Sequence, residues 1–113
     1  MSRRLKKHAA TLYLLAKAGP RVQKAVLREA DPALLTTVCE CAKNILNGNV
    51  PLSPAEKRRL TLYKKQLRQL TNRRLGQTTK KRVIVQKGGF LPALLGPLIG
   101  TLAPLIGGLF GGR

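Results

Sequence analysis

Apolar positions recur at helical spacing along most of the chain. Leu5, Ala9, Leu12 and Ala16 fall on one face of a stretch from about residue 3 to 18, with Lys6, Lys7 and Lys17 elsewhere around the axis. Gly19-Pro20 ends it. A second short helix is predicted over about 20–30, with Val22, Ala25 and Val26 as its apolar side. Asp31-Pro32 reads as an N-cap followed by proline at the first helical position. The third helix then runs to about Asn47, with Leu34, Val38, Cys41, Ala42 and Ile45 in one arc and Gly48 at its C-cap. After a loop, Ser53-Pro54-Ala55-Glu56 has the form of a capping box. It opens a fourth helix, about 54–75, striped by Leu60, Tyr63, Leu67 and Leu70. These stripes are narrow and alanine-rich, so the core they predict is modest and its stability marginal.

The pattern changes after residue 75. Gly76 to Arg82 reads as a flexible basic linker, and the β-branched Val83-Ile84-Val85 is too short to form a sheet alone. Residues 76–89 are therefore expected to be extended and exposed. From Phe90 to Gly112 no residue is charged, a length sufficient to cross a bilayer core. Pro92, Pro97 and Pro104 interrupt it, and Leu95-Gly96-Pro97-Leu98-Ile99-Gly100 recurs imperfectly as Leu102-Ala103-Pro104-Leu105-Ile106-Gly107. Phe90, Leu91, Leu94, Leu95, Leu98, Ile99, Leu102, Leu105, Ile106, Leu109 and Phe110 form the candidate membrane-active or self-associating surface. Gly96 and Gly100 make a small-xxx-small step suited to close helix contact. The expected fold class is all-α: a basic bundle of about four short helices over 1–75, a basic linker over 76–89, and an apolar Gly/Pro-interrupted helical tail over 90–113.

Charge changes the picture from fold to partner. The 113 residues carry 22 Lys/Arg against four Asp/Glu, a net charge of +18. Such an excess points to a polyphosphate or an anionic surface. Residues 53–87 hold 12 Lys/Arg against Glu56 alone. Lys57, Arg58, Arg59, Lys64, Lys65, Arg68, Arg73, Arg74, Lys80, Lys81 and Arg82 are the candidate nucleic-acid contacts, whereas Lys24 and Lys43 read as scattered solvated charges. Tyr13, Tyr63, Phe90 and Phe110 are too few for base stacking to carry binding. Sequence-independent contact with the backbone of double-stranded DNA fits best.

No enzymatic constellation appears and no cofactor or metal is implied. His8 stands alone among lysines on what reads as an exposed helix, and Cys39-Glu40-Cys41 lacks the further ligands a zinc site needs. On the helical wheel Cys41 faces the core and Cys39 lies off that arc, so both are expected reduced, as suits a cytosolic or nuclear protein. Met1-Ser2-Arg3-Arg4 leads into a basic amphipathic stretch, which is not the pattern of a secretory leader.

Gln86-Lys87-Gly88-Gly89-Phe90 resembles the cleavage motif of adenovirus-type maturation proteases, in which two glycines precede the cut. The following Leu91-Pro92-Ala93-Leu94-Leu95-Gly96-Pro97-Leu98-Ile99 is similar to the C-terminal part of the adenovirus core protein mu precursor family. The likeness covers Lys81 to Phe110. The whole chain resembles more broadly the small basic late proteins of Polinton and adintovirus elements. The resemblance implies a virion structural precursor that condenses DNA, a maturation cysteine protease as partner, and cleavage between Gly89 and Phe90. The freed apolar tail would then meet membrane or capsid proteins, in a virion or in the host nucleus or cytoplasm. The alternatives are a tail-anchored cationic protein on anionic lipid, and an RNA-binding or ribosomal-type protein.

Overall fold

The computed structural model describes residues 3–86 and 89–100, and all regular structure among them is helical. Helix α1 spans Arg3–Lys17, α2 Pro20–Arg28, α3 Pro32–Leu46, α4 Pro54–Thr61, α5 Lys64–Leu70, α6 Gln77–Gln86 and α7 Phe90–Leu95, and a 3-10 turn follows at Gly96–Leu98. The starts read from sequence are present in atomic detail. The Asp31 carboxylate accepts from the Leu34 amide at 2.8 Å. The Ser53 hydroxyl accepts from the Glu56 amide at 3.1 Å, and the Glu56 carboxylate accepts from the Ser53 amide at 2.8 Å. Gly48 takes a positive φ of 74°, the left-handed conformation expected after α3.

The inner faces of α1 and α3 are those the spacing predicts, enlarged by Leu15, Leu35 and Thr37. Helix α2 is rotated from its expected setting. It buries Gln23 and Leu27, while Val22 and Ala25 are exposed and Val26 is half-buried. Two needs account for the rotation. Leu27 is the larger apolar side chain, and Gln23 Nε2 donates at 2.9 Å to the carbonyl of Ala18, just past the end of α1. A helix end leaves such carbonyls without a partner, and a buried amide side chain supplies one.

The expected fourth helix is two helices. Tyr63 takes a non-helical φ of −112° and ψ of 21°, and the Leu62 and Tyr63 amides reach back only three residues, to Arg59 and Leu60. The break redirects the chain: α4 packs on α7, whereas α5 packs on α3 and α6. Leu62 is left 78% exposed at the corner.

The stretch over 77–86 is a helix instead of an extended linker. Val83 and Ile84 are buried, so its β-branched residues find a packed environment that outweighs their weak helix propensity. Gln77 Nε2 donates to Pro32 O at 3.3 Å and Thr36 Oγ1 at 3.1 Å, pinning the start of α6 to α3. Lys81 Nζ donates to Arg28 O at 3.4 Å, tying it to α2.

The largest departure concerns the apolar stretch after Gly89. Phe90, Leu91, Ala93, Leu94, Leu95 and Leu98 are buried in the same cluster as Leu12, Leu15, Leu27, Val38, Leu60 and Leu70. Helix α7 packs against α1, α3 and α4. The alanine-rich stripes explain why. Ala9, Ala16 and Ala42 are buried but contribute little bulk, so the faces of α1 and α3 leave room for another apolar element. The large side chains of α7 supply that bulk, and close packing demands it. The core therefore does not stop at residue 75. It takes in Ile84 of α6 and every residue of α7 but Pro92.

Candidate nucleic-acid interface and the Gly89 junction

Residues 3–86 contain twenty Lys/Arg and all four carboxylates of the chain. Most cations therefore cannot have a carboxylate of their own. Two of the four carboxylates, Asp31 and Glu56, are engaged at helix starts, and Glu40 stands 3.9 Å from Arg4 Nη1. The protein's surface is thus a field of cations whose natural counter-charge lies outside the chain.

The expected contacts sort onto several surfaces. Lys64, Lys65 and Arg68 are brought together: with Gln69 and Asn72 they line an open groove of about 440 Å³ along α5. All three cations are exposed, and no carboxylate lines the groove. Lys57, Arg58 and Arg59 are exposed on α4, beyond the break at Tyr63. Arg73 and Lys80 border a different hollow, with Arg4, Glu40 and Lys43. Lys81 and Arg82 border a third, between α6 and α2, together with Lys24 and Arg28. Arg74 is exposed in the turn before α6, its amide donating to Asn72 Oδ1 at 2.9 Å. Lys24 and Lys43, read from sequence as isolated charges, thus belong to basic hollows.

Among the described residues no aromatic ring lines these hollows. Tyr63 and Phe90 pack on each other, with ring centroids 5.6 Å apart at an angle of 48°. Tyr13 lies under the Lys17 ammonium at 5.8 Å. These grooves offer cationic side chains without a stacking ring among their lining residues.

His8 is not the exposed residue expected from its lysine neighbours. It is buried, with Nδ1 3.1 Å from Arg4 O and 3.3 Å from Thr37 Oγ1. The Thr37 hydroxyl donates to Ala33 O at 2.8 Å, so the proton between ring and carbonyl belongs on Nδ1. The histidine thereby links α1 to α3 through a polar contact inside the core. No group of three or more His, Cys, Asp or Glu side chains that could hold a metal occurs among the described residues. Cys41 is buried and Cys39 half-buried, both as free thiols. Burial pushes the Cys41 thiol up to about 12, with the Glu40 carboxylate and Cys39 adding to the rise. Burial also raises Cys39, against the pull of nearby Lys80.

At the expected cleavage junction, Lys87 and Gly88 lie outside the described residues. Gln86 ends α6 and is exposed. Gly89 is exposed and helical, with φ −91° and ψ −2°, as the N-cap of α7. Its absence of a side chain serves packing: a Cβ there would lie 2.5 Å from the Tyr63 hydroxyl oxygen. Phe90 on the far side of the bond is fully buried. Of the residues expected in a membrane-active tail, Phe90, Leu91, Leu94, Leu95 and Leu98 are core residues and Ile99 packs against the core. Leu102, Leu105, Ile106, Leu109 and Phe110 lie outside the described residues. No described helix is long and apolar enough to cross a membrane. Comparison with protein-family models, curated proteins and solved structures finds no match to this chain.

Proposed function

We propose that the chain is a structural precursor of a virus particle, which binds and condenses double-stranded DNA through its phosphate backbone. The observation that carries this reading is the α5 groove, where exposed Lys64, Lys65 and Arg68 converge with no carboxylate among the lining residues. Three such cations in one groove match a run of phosphates, and binding to phosphates is driven by counterion release. The lipid-binding alternative draws on the apolar residues after Gly89, and six of these are engaged in the core.

The second half of the proposal is maturation by a cysteine protease at the Gly89–Phe90 bond. Its support is the order of the elements: a basic region, Gly88-Gly89, then a Leu/Pro-rich apolar stretch. A protease groove takes its substrate extended, whereas Gly89 is helical and Phe90 is inside the core. Cutting therefore requires α7 to leave its site first. Release of α7 also frees apolar surface for capsid or membrane contact.

The test of DNA binding is a titration of the full chain with duplexes of unrelated sequence at several salt concentrations. Contact with roughly six phosphates gives a slope of about −5 in log affinity against log salt. Replacing Lys57, Lys64, Lys65 and Arg68 by Gln weakens binding to all sequences alike. An affinity indifferent to salt, or confined to one sequence, overturns the reading. For the junction, mass spectrometry of the protein from mature particles should find a chain ending at Gly89. An intact 113-residue chain in those particles refutes it.

A further inference from the structure

Helices α2 and α6 face each other across a hollow of about 340 Å³. Lys24 and Arg28 line it from α2, one helical turn apart, and Lys81 and Arg82 line it from α6. Thr78 and Gln86 add uncharged polar groups, and no Asp or Glu is among the lining residues. Two cationic helices thus pack side by side, although four like charges at one seam oppose that packing. What holds α6 there is the burial of Val83 and Ile84 and a few polar tethers, one being Lys81 Nζ on Arg28 O. Asp31 borders the neighbouring hollow, which Lys81 also lines, and its carboxylate is held by the Leu34 amide at the start of α3. The seam itself has cations on both walls and an open mouth between them.

We propose that the α2–α6 hollow is a phosphate site that seats a backbone phosphodiester of the bound duplex, gripped by Lys24 and Arg28 on one wall and Lys81 and Arg82 on the other. The assignment rests on the DNA-binding reading and adds to it a second, two-walled contact that shares no residue with the α5 groove. It has a structural consequence that a contact on one helix lacks. A phosphate between the walls turns their mutual repulsion into shared attraction, so duplex binding clamps α6 onto α2. By linkage, whatever binds only the docked form stabilises that form.

The experiment uses the full chain, a short duplex, and amide hydrogen exchange along α6 alongside the salt titration. In the unaltered protein the duplex is expected to slow exchange over Gln77–Gln86. Lys24→Gln plus Arg28→Gln changes only exposed side chains, since the tether from Lys81 ends on the Arg28 main chain. This pair is expected to lower the magnitude of the salt slope by roughly 1 to 2 and to abolish the slowing in α6. Lys81→Gln plus Arg82→Gln, from the other wall, is expected to do the same. Lys6→Gln plus Lys7→Gln on α1 removes the same charge, and α6 protection is expected to survive it. If the α2 pair leaves slope and protection unchanged while the α5 variants weaken binding, this site is wrong and DNA binding stands. If the α1 pair abolishes the α6 protection equally, the effect is overall charge and the site is wrong. If anionic vesicles but not duplex protect α6, the ligand is lipid and the assignment fails. If the unaltered chain binds no duplex, both readings fail together.

Discussion

Gly89→Ala tests the junction most directly. The added Cβ would lie 2.5 Å from the Tyr63 hydroxyl oxygen, while the next nearest atom, Tyr63 Cζ, is an ordinary 3.7 Å away. The conflict is therefore with one oxygen. Tyr63 cannot swing clear without cost, because its ring packs on Phe90. Moving it forfeits part of an aromatic contact worth about 0.5–1.5 kcal/mol. Tilting it off its rotamer by some 30° costs about the same. Against this, alanine narrows the unfolded ensemble and returns about 0.4–1 kcal/mol, since the φ of −91° at Gly89 is one alanine accepts. The net expectation in the unaltered background is a loss of about 0.5–1.5 kcal/mol. With Tyr63→Phe the offending oxygen is gone, and the same Gly89→Ala should become neutral or stabilising by about 0.4–1 kcal/mol. Urea melts of the four proteins give the coupling energy directly, expected at about 1–2 kcal/mol. A Gly89→Ala effect that is equal in both backgrounds, within about 0.3–0.5 kcal/mol, would refute the packing account of this glycine.

Four further expectations concern the core and its thiols. Leu94→Ala removes a fully buried side chain from α7, and the lost transfer energy plus the cavity amounts to about 2–5 kcal/mol; an unchanged melt would mean that α7 is not part of the core. Under the proposed maturation the same variant should be cut faster at Gly89–Phe90 by a Gly-Gly-directed protease, since Phe90 is buried until α7 opens; equal cutting rates would detach cleavage from opening. The thiols should differ. Cys41, with its pKa raised from 9.0 to about 12, keeps its proton when folded, whereas the unfolded chain loses it near pH 9. Its contribution to stability is therefore complete below about pH 9 and falls as the pH climbs towards 12. At pH 8 a thiol reagent should modify Cys39 faster than Cys41, and equal native rates for the two would contradict the deeper burial of Cys41.

What could be read along the chain is what its neighbours decide. The Asp31 cap and the Ser53–Glu56 box each close within three residues, so their partners are visible together in the sequence. The inner faces of α1 and α3 follow from spacing alone, and so does the cationic cluster Lys64, Lys65 and Arg68, which sits on one short helix. Most departures from that reading concern partners distant in the chain. The spacing points Val22 and Ala25 inward on α2, whereas Leu27 and Gln23 are buried, the latter on the carbonyl of Ala18. The α4–α5 break has no proline or glycine to announce it, and the Tyr63 ring at the break packs on the distant ring of Phe90. Helix α6 looked like a linker because its buried residues are few and β-branched, and its anchors lie on α2 and α3. Missing α6 as a helix hid the basic seam as well. Arg28 and Lys81 are 53 positions apart, and only a folded α6 makes them neighbours.

The packing of α7 against α1 also sets an order of events in synthesis. The contact joins the first described helix to the last, so closing it pins together nearly the whole length of the described chain. Neighbouring helices such as α1 and α2 can meet early, because short loops close at little entropic cost. The core itself has to wait for residues 90–98 to leave the ribosome. Until then a cationic, half-assembled chain stands beside ribosomal RNA, a dense polyanion. The late apolar segment is thus what completes the globular core, while the cations stay on its surface.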